Sequence, residues 1–260
     1  MNTNYHLRII CKKILLTGVF LLLIFASITA QDKRLNNGNS LYSEGKFEEA
    51  IQVYEDILKT GVESEVLYFN LGNAYYKTAN LPRAILNYER AKLIDSDDLD
   101  VNYNLDLAYS QTIDKIEPID KLFIKRWIQD LIDKGTSDFW SYTSIALFLI
   151  VLILSGIYLY SGNPTVKRVS FFSSVLLVVG VILSFNFASV QSNKLSNRTE
   201  AIIFEPSVTV KSSPDFSGTD LFVIHEGTKV KILETVGNWK RVQVNNGSQG
   251  WLVSQSFIAI

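Results

Sequence analysis

Apolar and polar residues follow three different patterns along this chain. From residue 31 to residue 112, apolar residues recur at helical spacing between charged ones, which predicts amphipathic helices. Two uncharged apolar runs follow, Trp140–Tyr160 and Val169–Val190. After residue 200, short β-rich runs alternate with turn residues. Together these patterns predict a multi-domain membrane protein with an α-helical array, a two-helix transmembrane hairpin and a small all-β barrel.

The helical segment repeats itself with a period of 34 residues, because Gly72 and Ala84 have counterparts in Gly38 and Ala50. Small residues at two fixed positions with aromatic residues between them resemble the tetratricopeptide repeat, a helix pair that stacks on its neighbours. We expect the small residues where the two helices of a pair cross closely. A stack usually needs about three repeats, so we expect support from the next segment or from a partner. The predicted repeats are 31–64, 65–98 and a partial one at 99–112.

In repeats that resemble these, the first helix of each pair lines a concave face that binds another protein. The corresponding positions here are Leu35, Asn39, Tyr42, Phe69, Asn73, Tyr76, Lys77, Tyr103, Leu107 and Gln111. Asn39 and Asn73 lie one period apart, so they either hydrogen-bond the backbone of an extended peptide or support the repeat itself. Some chaperone-binding repeats bind a C-terminal carboxylate with a pair of basic residues. Only Lys77 lies near a corresponding position here, which disfavours the C-terminal tail of a chaperone as the ligand.

The two apolar runs contain 21 and 22 residues without a charged side chain, so each can cross a membrane as a helix. The connector 161–168 is short, so the runs form an antiparallel hairpin and both flanking modules lie on the same side. Lys167 and Arg168 in the connector predict a cytoplasmic loop, although basic residues after the second run oppose this in part. Neither run contains an ionisable residue of the kind that usually marks a transport pathway. We therefore expect the two helices to anchor the protein in the membrane rather than to form a transporter.

The first 30 residues have the pattern of an export signal. Basic residues precede the apolar run Ile14–Phe25, and small residues ending at Ala30 follow it. We predict a signal peptide at 1–30, with a retained membrane anchor as the alternative. Cleavage would remove Cys11, the only cysteine, and leave no thiol chemistry. The predicted location is the bacterial inner membrane, with both soluble modules facing the periplasm.

Between the repeats and the first apolar run, the segment 113–138 contains an amphipathic pattern. From Ile119 to Lys134, apolar residues recur at helical spacing with charged residues between them. This predicts a juxtamembrane helix that either lies on the membrane surface or caps the repeats. Of the two, capping is favoured.

The segment 200–260 resembles a bacterial SH3 domain in four blocks that occur in order. The blocks are Val208–Pro214, His225–Val230, Gly237–Val242 and Gly247–Leu252. Five candidate strands, Ala201–Phe204, Val208–Lys211, Lys229–Thr235, Trp239–Val244 and Gly250–Val253, predict a small barrel. The resemblance implies a non-catalytic module that binds peptides or cell-wall material. Trp239 is a candidate for its ligand face or for its core, Trp251 is expected in the core, and His225 is expected to be structural.

Composition and motifs disfavour catalysis and nucleic-acid binding. The chain carries 25 basic and 26 acidic residues, so its overall charge does not favour nucleic acid. No phosphate-binding glycine loop, paired-histidine helix or nucleophile elbow occurs in the sequence. We therefore predict that the protein is not an enzyme and binds no metal or cofactor.

The order of the modules resembles the E-type members of the Bat aerotolerance proteins of Bacteroides-like bacteria. The resemblance implies a periplasm-facing component of the inner membrane that works with von Willebrand factor A-type membrane proteins and a MoxR-type ATPase. The expected function is a membrane-anchored adaptor in an oxidative or envelope-stress complex. The alternative is a sensor whose SH3-like module binds peptidoglycan.

Overall fold

The computed structural model describes residues 33–115, 123–196 and 198–260. The predicted signal peptide 1–30 and residues 116–122 of the juxtamembrane segment lie outside the described residues. The chain divides into two compact units at Asn80 and Leu81. The described helices are α1 (33–43), α2 (Phe47–Leu58), α3 (Glu65–Lys77), α4 (Leu81–Ile94), α5 (Leu99–Ser110), α6 (Phe123–Asp133), α7 (Ser137–Tyr160) and α8 (Pro164–Ser196).

The first unit contains α1, α2 and α3. Gly38 of α1 lies directly against the ring of Tyr54 in α2, and a Cβ atom at this position would overlap that ring. The small residue therefore permits the close crossing that the repeat pattern predicts. Asn37 occupies the position that corresponds to Leu71 in the next repeat. Leu71 is buried, whereas Asn37 is exposed. The first helix is thus anchored through Gly38 and the residues around it.

The second unit begins with α4 and α5, which pack against each other. Asp98 caps α5, and its Oδ1 accepts a hydrogen bond from the backbone N–H of Val101 at 2.9 Å. The acidic run after α4 thus supplies the N-cap of the next helix. Val101, Leu105 and Ala108 form the buried side of α5. The helix ends at Ser110, so the segment 99–112 holds a single helix.

Helices α7 and α8 are long and apolar enough to cross a membrane, by length and composition. Two hydrogen bonds show that they run antiparallel. The hydroxyl of Ser137 donates to the carbonyl of Ala188. Seven residues later on α7, the hydroxyl of Ser144 donates to the carbonyl of Val181, which lies seven residues earlier on α8. Both helices begin earlier than the uncharged runs suggest. The predicted loop 161–168 therefore shortens to residues 161–163, and Lys167 and Arg168 lie in the first turns of α8.

The C-terminal residues form a seven-stranded antiparallel sheet rather than the five strands expected. The strands are β1 (Glu200–Ile203), β2 (Ser207–Lys211), β3 (Asp220–His225), β4 (Lys229–Val236), β5 (Trp239–Val244), β6 (Gln249–Val253) and β7 (Phe257–Ala259). Their order is β3-β2-β6-β5-β4-β1-β7. Buried valine, isoleucine and leucine side chains from six of the strands form one core, which includes Val210, Val242 and Leu252. Trp251 is only half-buried and belongs to the opposite face of β6, so the expectation that it is a core residue is wrong.

Candidate functional site

The barrel packs on α4 within the second unit, and a buried charge cluster lies between them. Lys229 at the start of β4 donates to Glu89 Oε2 of α4 at 2.8 Å, and it contacts Glu200 Oε2 of β1 at 2.7 Å. Tyr109 of α5 donates its hydroxyl to the other Glu89 oxygen at 2.6 Å. Glu89 is only 7% exposed, so both of its oxygens are satisfied where solvent has little access.

Charge pairing determines the protonation of this cluster. Burial alone would lower the pKa of Lys229, but the negative charges of Glu89 and Glu200 outweigh it and raise the pKa above its ordinary value. Burial, and then the negative charge of Glu89, raise the pKa of Tyr109 well above its ordinary value. At neutral pH the lysine is therefore charged and the tyrosine is a neutral hydrogen-bond donor.

A second contact joins the end of the helical module to the turn between β3 and β4. Asp114 Oδ2 accepts hydrogen bonds from the backbone N–H of His225 and the hydroxyl of Thr228, both at 2.7 Å. Asp114 Oδ1 lies 2.9 Å from His225 Nδ1. Burial would raise the pKa of Asp114, but the hydrogen bonds from Thr228 and His225 outweigh it and lower the pKa. His225 therefore has the structural role that the sequence predicts.

Gly227 brings the backbone of that turn directly against the helical module. Its φ of +81° lies in the left-handed region, which favours glycine. A Cβ atom here would lie 2.9 Å from Thr112 Cγ2 and 3.1 Å from Ile85 Cδ1. Nearby, Arg90 of α4 donates to the carbonyl of Ala259 in β7 at 2.9 Å. The barrel is thus held by side-chain bonds and by close backbone packing.

Part of the predicted groove lies around a small cavity in the first unit. The cavity has a volume of about 220 Å³ and is lined by Asn39, Tyr42, Ser43, Tyr54, Asn70 and Asn73. Asn39 Oδ1 accepts hydrogen bonds from the Tyr54 hydroxyl at 2.8 Å and from Asn70 Nδ2 at 3.0 Å. These bonds favour the interpretation that Asn39 supports the repeat. Burial and the neighbouring Tyr42 raise the pKa of Tyr54 to about 12, so Tyr54 remains a donor.

The remaining groove residues are accessible, but they do not line this cavity. Leu35, Phe69 and Tyr76 are half-buried in the first unit, and Lys77 is exposed. Tyr103 and Leu107 on α5, and Gln111 directly after it, are exposed in the second unit. Their role in partner binding remains a prediction.

An aromatic pair lies on the surface of the barrel. Trp239, the first residue of β5, is half-buried and packs edge-to-face with Phe216, with ring centroids 5.1 Å apart. Phe216 lies in the loop between β2 and β3 and is 79% exposed. The sequence singled out Trp239 but not Phe216, because the loop that carries Phe216 has no periodicity. Among the described residues there is no group of three or more His, Cys, Asp or Glu that could hold a metal ion.

Comparison with known proteins assigns the C-terminal module. Residues 206–259 match the family described as the bacterial SH3 domain. The barrel is a bacterial SH3 domain. Such domains commonly bind proteins or peptidoglycan. No curated protein matches the chain.

Sequence reasoning did not single out the residues that join the SH3 domain to the helices. Glu89 follows Tyr88 in a run of buried α4 positions, and a carboxylate at a buried position is itself a signal of a partner. The partner could not be named, because Lys229 follows it by 140 residues. Asp114 likewise lies in a short non-helical segment without a motif.

Proposed function

We propose that this chain is a membrane-anchored adaptor that binds partner proteins through its helical repeats and its SH3 domain. The supporting observation is the docking of the SH3 domain on α4 and α5 through Glu89, Lys229 and Asp114. A flexibly linked SH3 domain would not need a buried ion pair with the preceding helices. In the docked arrangement, the exposed α5 residues and the SH3 surface are presented together and can act on one partner or one complex.

The membrane attachment in this proposal is the α7–α8 hairpin. Its antiparallel pairing supports placement of the preceding helices and the SH3 domain on the same side of the membrane. Lys167 and Arg168, close to the short link, favour a cytoplasmic turn. With the export pattern of residues 1–30, they support a bacterial inner-membrane protein whose soluble modules face the periplasm.

The module order supports a more specific context. Its resemblance to the E-type Bat aerotolerance proteins leads us to propose von Willebrand factor A-type membrane proteins and a MoxR-type ATPase system as partners in a stress complex. In this reading the protein has no catalytic role, since its parts are those of binding modules.

Site-specific photocrosslinking in cells at native expression tests the adaptor function. A photoreactive residue at Phe69, Tyr76 or Tyr103 should give a discrete adduct with an envelope protein of the von Willebrand factor A type. The same residue at Glu48, exposed on α2, is the control and should give none. Absence of adducts at all three groove positions would contradict the proposal.

The aromatic pair on the SH3 domain favours a second candidate function, a peptidoglycan-binding sensor. Phe216 and Trp239 offer an exposed aromatic surface of the kind that stacks on sugars or peptides. The detergent-solubilised full chain should then sediment with purified cell-wall sacculi. Phe216→Ala and Trp239→Ala should each reduce sedimentation, whereas Ile258→Ala, at an exposed position on β7, should not. Sedimentation that is absent, or that is equal in all four proteins, would dismiss this site.

A further inference from the structure

Helix α6 presents an uncovered apolar face. Phe123, Ile124, Trp127 and Ile128 are 81, 69, 61 and 41% exposed. The sequence favoured α6 as a cap on the repeats, but a cap would bury these side chains. A hydrogen bond to the helical module lies at the other end of α6, where Ser96 Oγ donates to the carbonyl of Asp133 at 2.8 Å. The favoured expectation of capping is therefore wrong for this face.

The exposed apolar residues lie on one side of the helix. Phe123 and Trp127 lie four residues apart, as do Ile124 and Ile128, and the two pairs lie side by side as one broad face of the helix. Among the described side chains, the positions away from this face are polar or charged: Gln129 and Asp133, with Asp130 at the edge of the face. A strong separation of this kind, with aromatic and aliphatic residues on one side and polar residues on the other, is typical of helices that lie in a membrane interface.

The end of α6 is fastened to the ends of the two apolar helices. Trp140 of α7 donates its indole N–H to the carbonyl of Ile132 at 2.9 Å. From α8, Gln191 Nε2 donates to the carbonyls of Ile132 and Gly135, both at 3.1 Å, and Lys194 forms an ion pair with Asp133 at 2.5 Å. These bonds come from both helices, so the joint between α6 and the hairpin is fixed rather than a flexible link.

Only residues 134–136 separate α6 from α7. Gly135 allows this short connection, because a Cβ there would collide with the ring of Phe139. The C-terminal end of α6 therefore lies beside Trp140, where the uncharged run of α7 begins, and Phe139 precedes it. Aromatic side chains concentrate at this level in membrane proteins, where the hydrocarbon meets the headgroups.

We propose that α6 is an interfacial helix whose apolar face inserts into the lipid headgroup region beside the hairpin. The proposal rests on the proposed function, because it takes α7 and α8 to lie in the membrane. Lipid is the occupant because the end of α6 is fastened beside the point where the uncharged run of α7 begins, so that the exposed face starts close to the apolar hairpin. The bonds from Trp140 and Gln191 hold α6 at that boundary. The helix then contributes a third membrane contact, beside the two spans.

Depth measurements with single nitroxide labels test this placement. The only cysteine is Cys11, so Cys11→Ser gives a cysteine-free full chain. Single cysteines replace Ile124, Trp127 or Ile128 on the apolar face, and Asp130 serves as the matched control on the same helix. Leu152 of α7 reports insertion of the hairpin, and Asn246 of the SH3 domain reports the aqueous phase. Each labelled protein is reconstituted in phosphatidylethanolamine–phosphatidylglycerol vesicles, and relaxation by oxygen and by a water-soluble nickel chelate is compared.

The expected result is that labels at Ile124, Trp127 and Ile128 become more accessible to oxygen than to nickel, at a depth of about 5–10 Å. The label at Asp130 should resemble that at Asn246, and Leu152 should be the deepest. If Leu152 is deep but the three α6 labels resemble Asn246, the interfacial helix is refuted and the hairpin stands. Low accessibility of the α6 labels to both reagents would also overturn it, because a protein surface would then cover the face. An aqueous Leu152 would overturn the hairpin and the interfacial helix together.

Discussion

Lys229 of the SH3 domain and Glu89 of helix α4 are 140 residues apart in the chain, yet their charged groups are 2.8 Å apart in the structure. Glu89 is also bound by Tyr109, and Lys229 by Glu200. A buried carboxylate without a cation would be costly. The pair therefore makes the SH3 domain part of the same folded unit as α4 and α5, and not an appended module.

Replacing Lys229 should loosen the SH3 domain from the helices. In Lys229→Met, Glu89 keeps its burial and loses its cation, so the free energy of opening at this interface should fall by about 3–5 kcal/mol. Hydrogen exchange of backbone amides in α4 and β4, measured on the detergent-solubilised full chain, gives this value. Lys231→Met, at an exposed position on the same strand, is the control and should change it by less than about 0.5 kcal/mol. Equal exchange in the two variants would show that the pair does not stabilise the interface.

Gly227→Ala separates backbone strain from crowding at the interface. Gly227 and Gly237 both have positive φ, but a Cβ at Gly227 meets Thr112 and Ile85, whereas one at Gly237 meets nothing within 4 Å. Gly237→Ala should cost about 1–2 kcal/mol from the left-handed backbone alone. Gly227→Ala should cost about 1–3 kcal/mol more, from overpacking. Thermal unfolding of both variants beside the parent measures the difference, and equal melting temperatures would contradict close packing at Gly227.

The docking of the SH3 domain should depend on pH in two separate ranges. The pKa of Asp114 is lowered in the folded state, so its contribution is present above its unfolded pKa of about 4 and is lost as the pH falls through the folded value. The pKa of Lys229 is raised, so its contribution is present below about pH 10.4 and is lost as the pH rises through the folded value.

A pH series of hydrogen exchange or thermal unfolding checks both ranges. Asp114→Asn should flatten the acid side and leave the alkaline side unchanged, whereas Lys229→Met should flatten the alkaline side. An Asp114→Asn variant that altered both sides alike would argue against this assignment.

The first unit should be sensitive at Gly38. In Gly38→Ala, the new Cβ overlaps the ring of Tyr54, so Tyr54 must move and its hydrogen bond to Asn39 is disturbed. The unit should lose about 1–3 kcal/mol of stability, seen as faster hydrogen exchange in α1 and α2. Asn37→Ala changes the exposed neighbour on the same helix and should be neutral or slightly stabilising, because alanine favours helix. A tolerated Gly38→Ala would mean that the two helices do not cross closely there.

Local patterns predicted much of the secondary structure. The repeats gave the positions of α2 to α5, and the uncharged runs gave α7 and α8. The apolar runs underestimated the length of both helices, because a helix can extend beyond its apolar residues. Thr136 caps α7 by accepting a hydrogen bond from the N–H of Phe139. Pro164 is well suited to the first turn of α8. Periodicity identifies a helix more reliably than its ends.

The strands of the SH3 domain that the sequence did not predict are those in which apolar and polar residues do not alternate clearly. In β3, Leu221, Phe222, Val223 and Ile224 are consecutive apolar residues, so no alternating pattern marked a half-buried strand. Strand β3 lies at the edge of the sheet, where Leu221 and Val223 are exposed. Trp251 does not lie in the core as expected, because Gly250 and Leu252 occupy the inward positions of β6. The contacts of Glu89 and Asp114 were beyond reach, since each depends on a partner more than 100 residues away.

The hairpin also sets an order of events during synthesis. Glu89 is made before α7 and α8, and Lys229 is made after both. A nascent chain that has completed α4 and α5 therefore carries this carboxylate without its cation until the start of β4 is made. The contact between α4 and β4 can form only after both apolar helices have been synthesised.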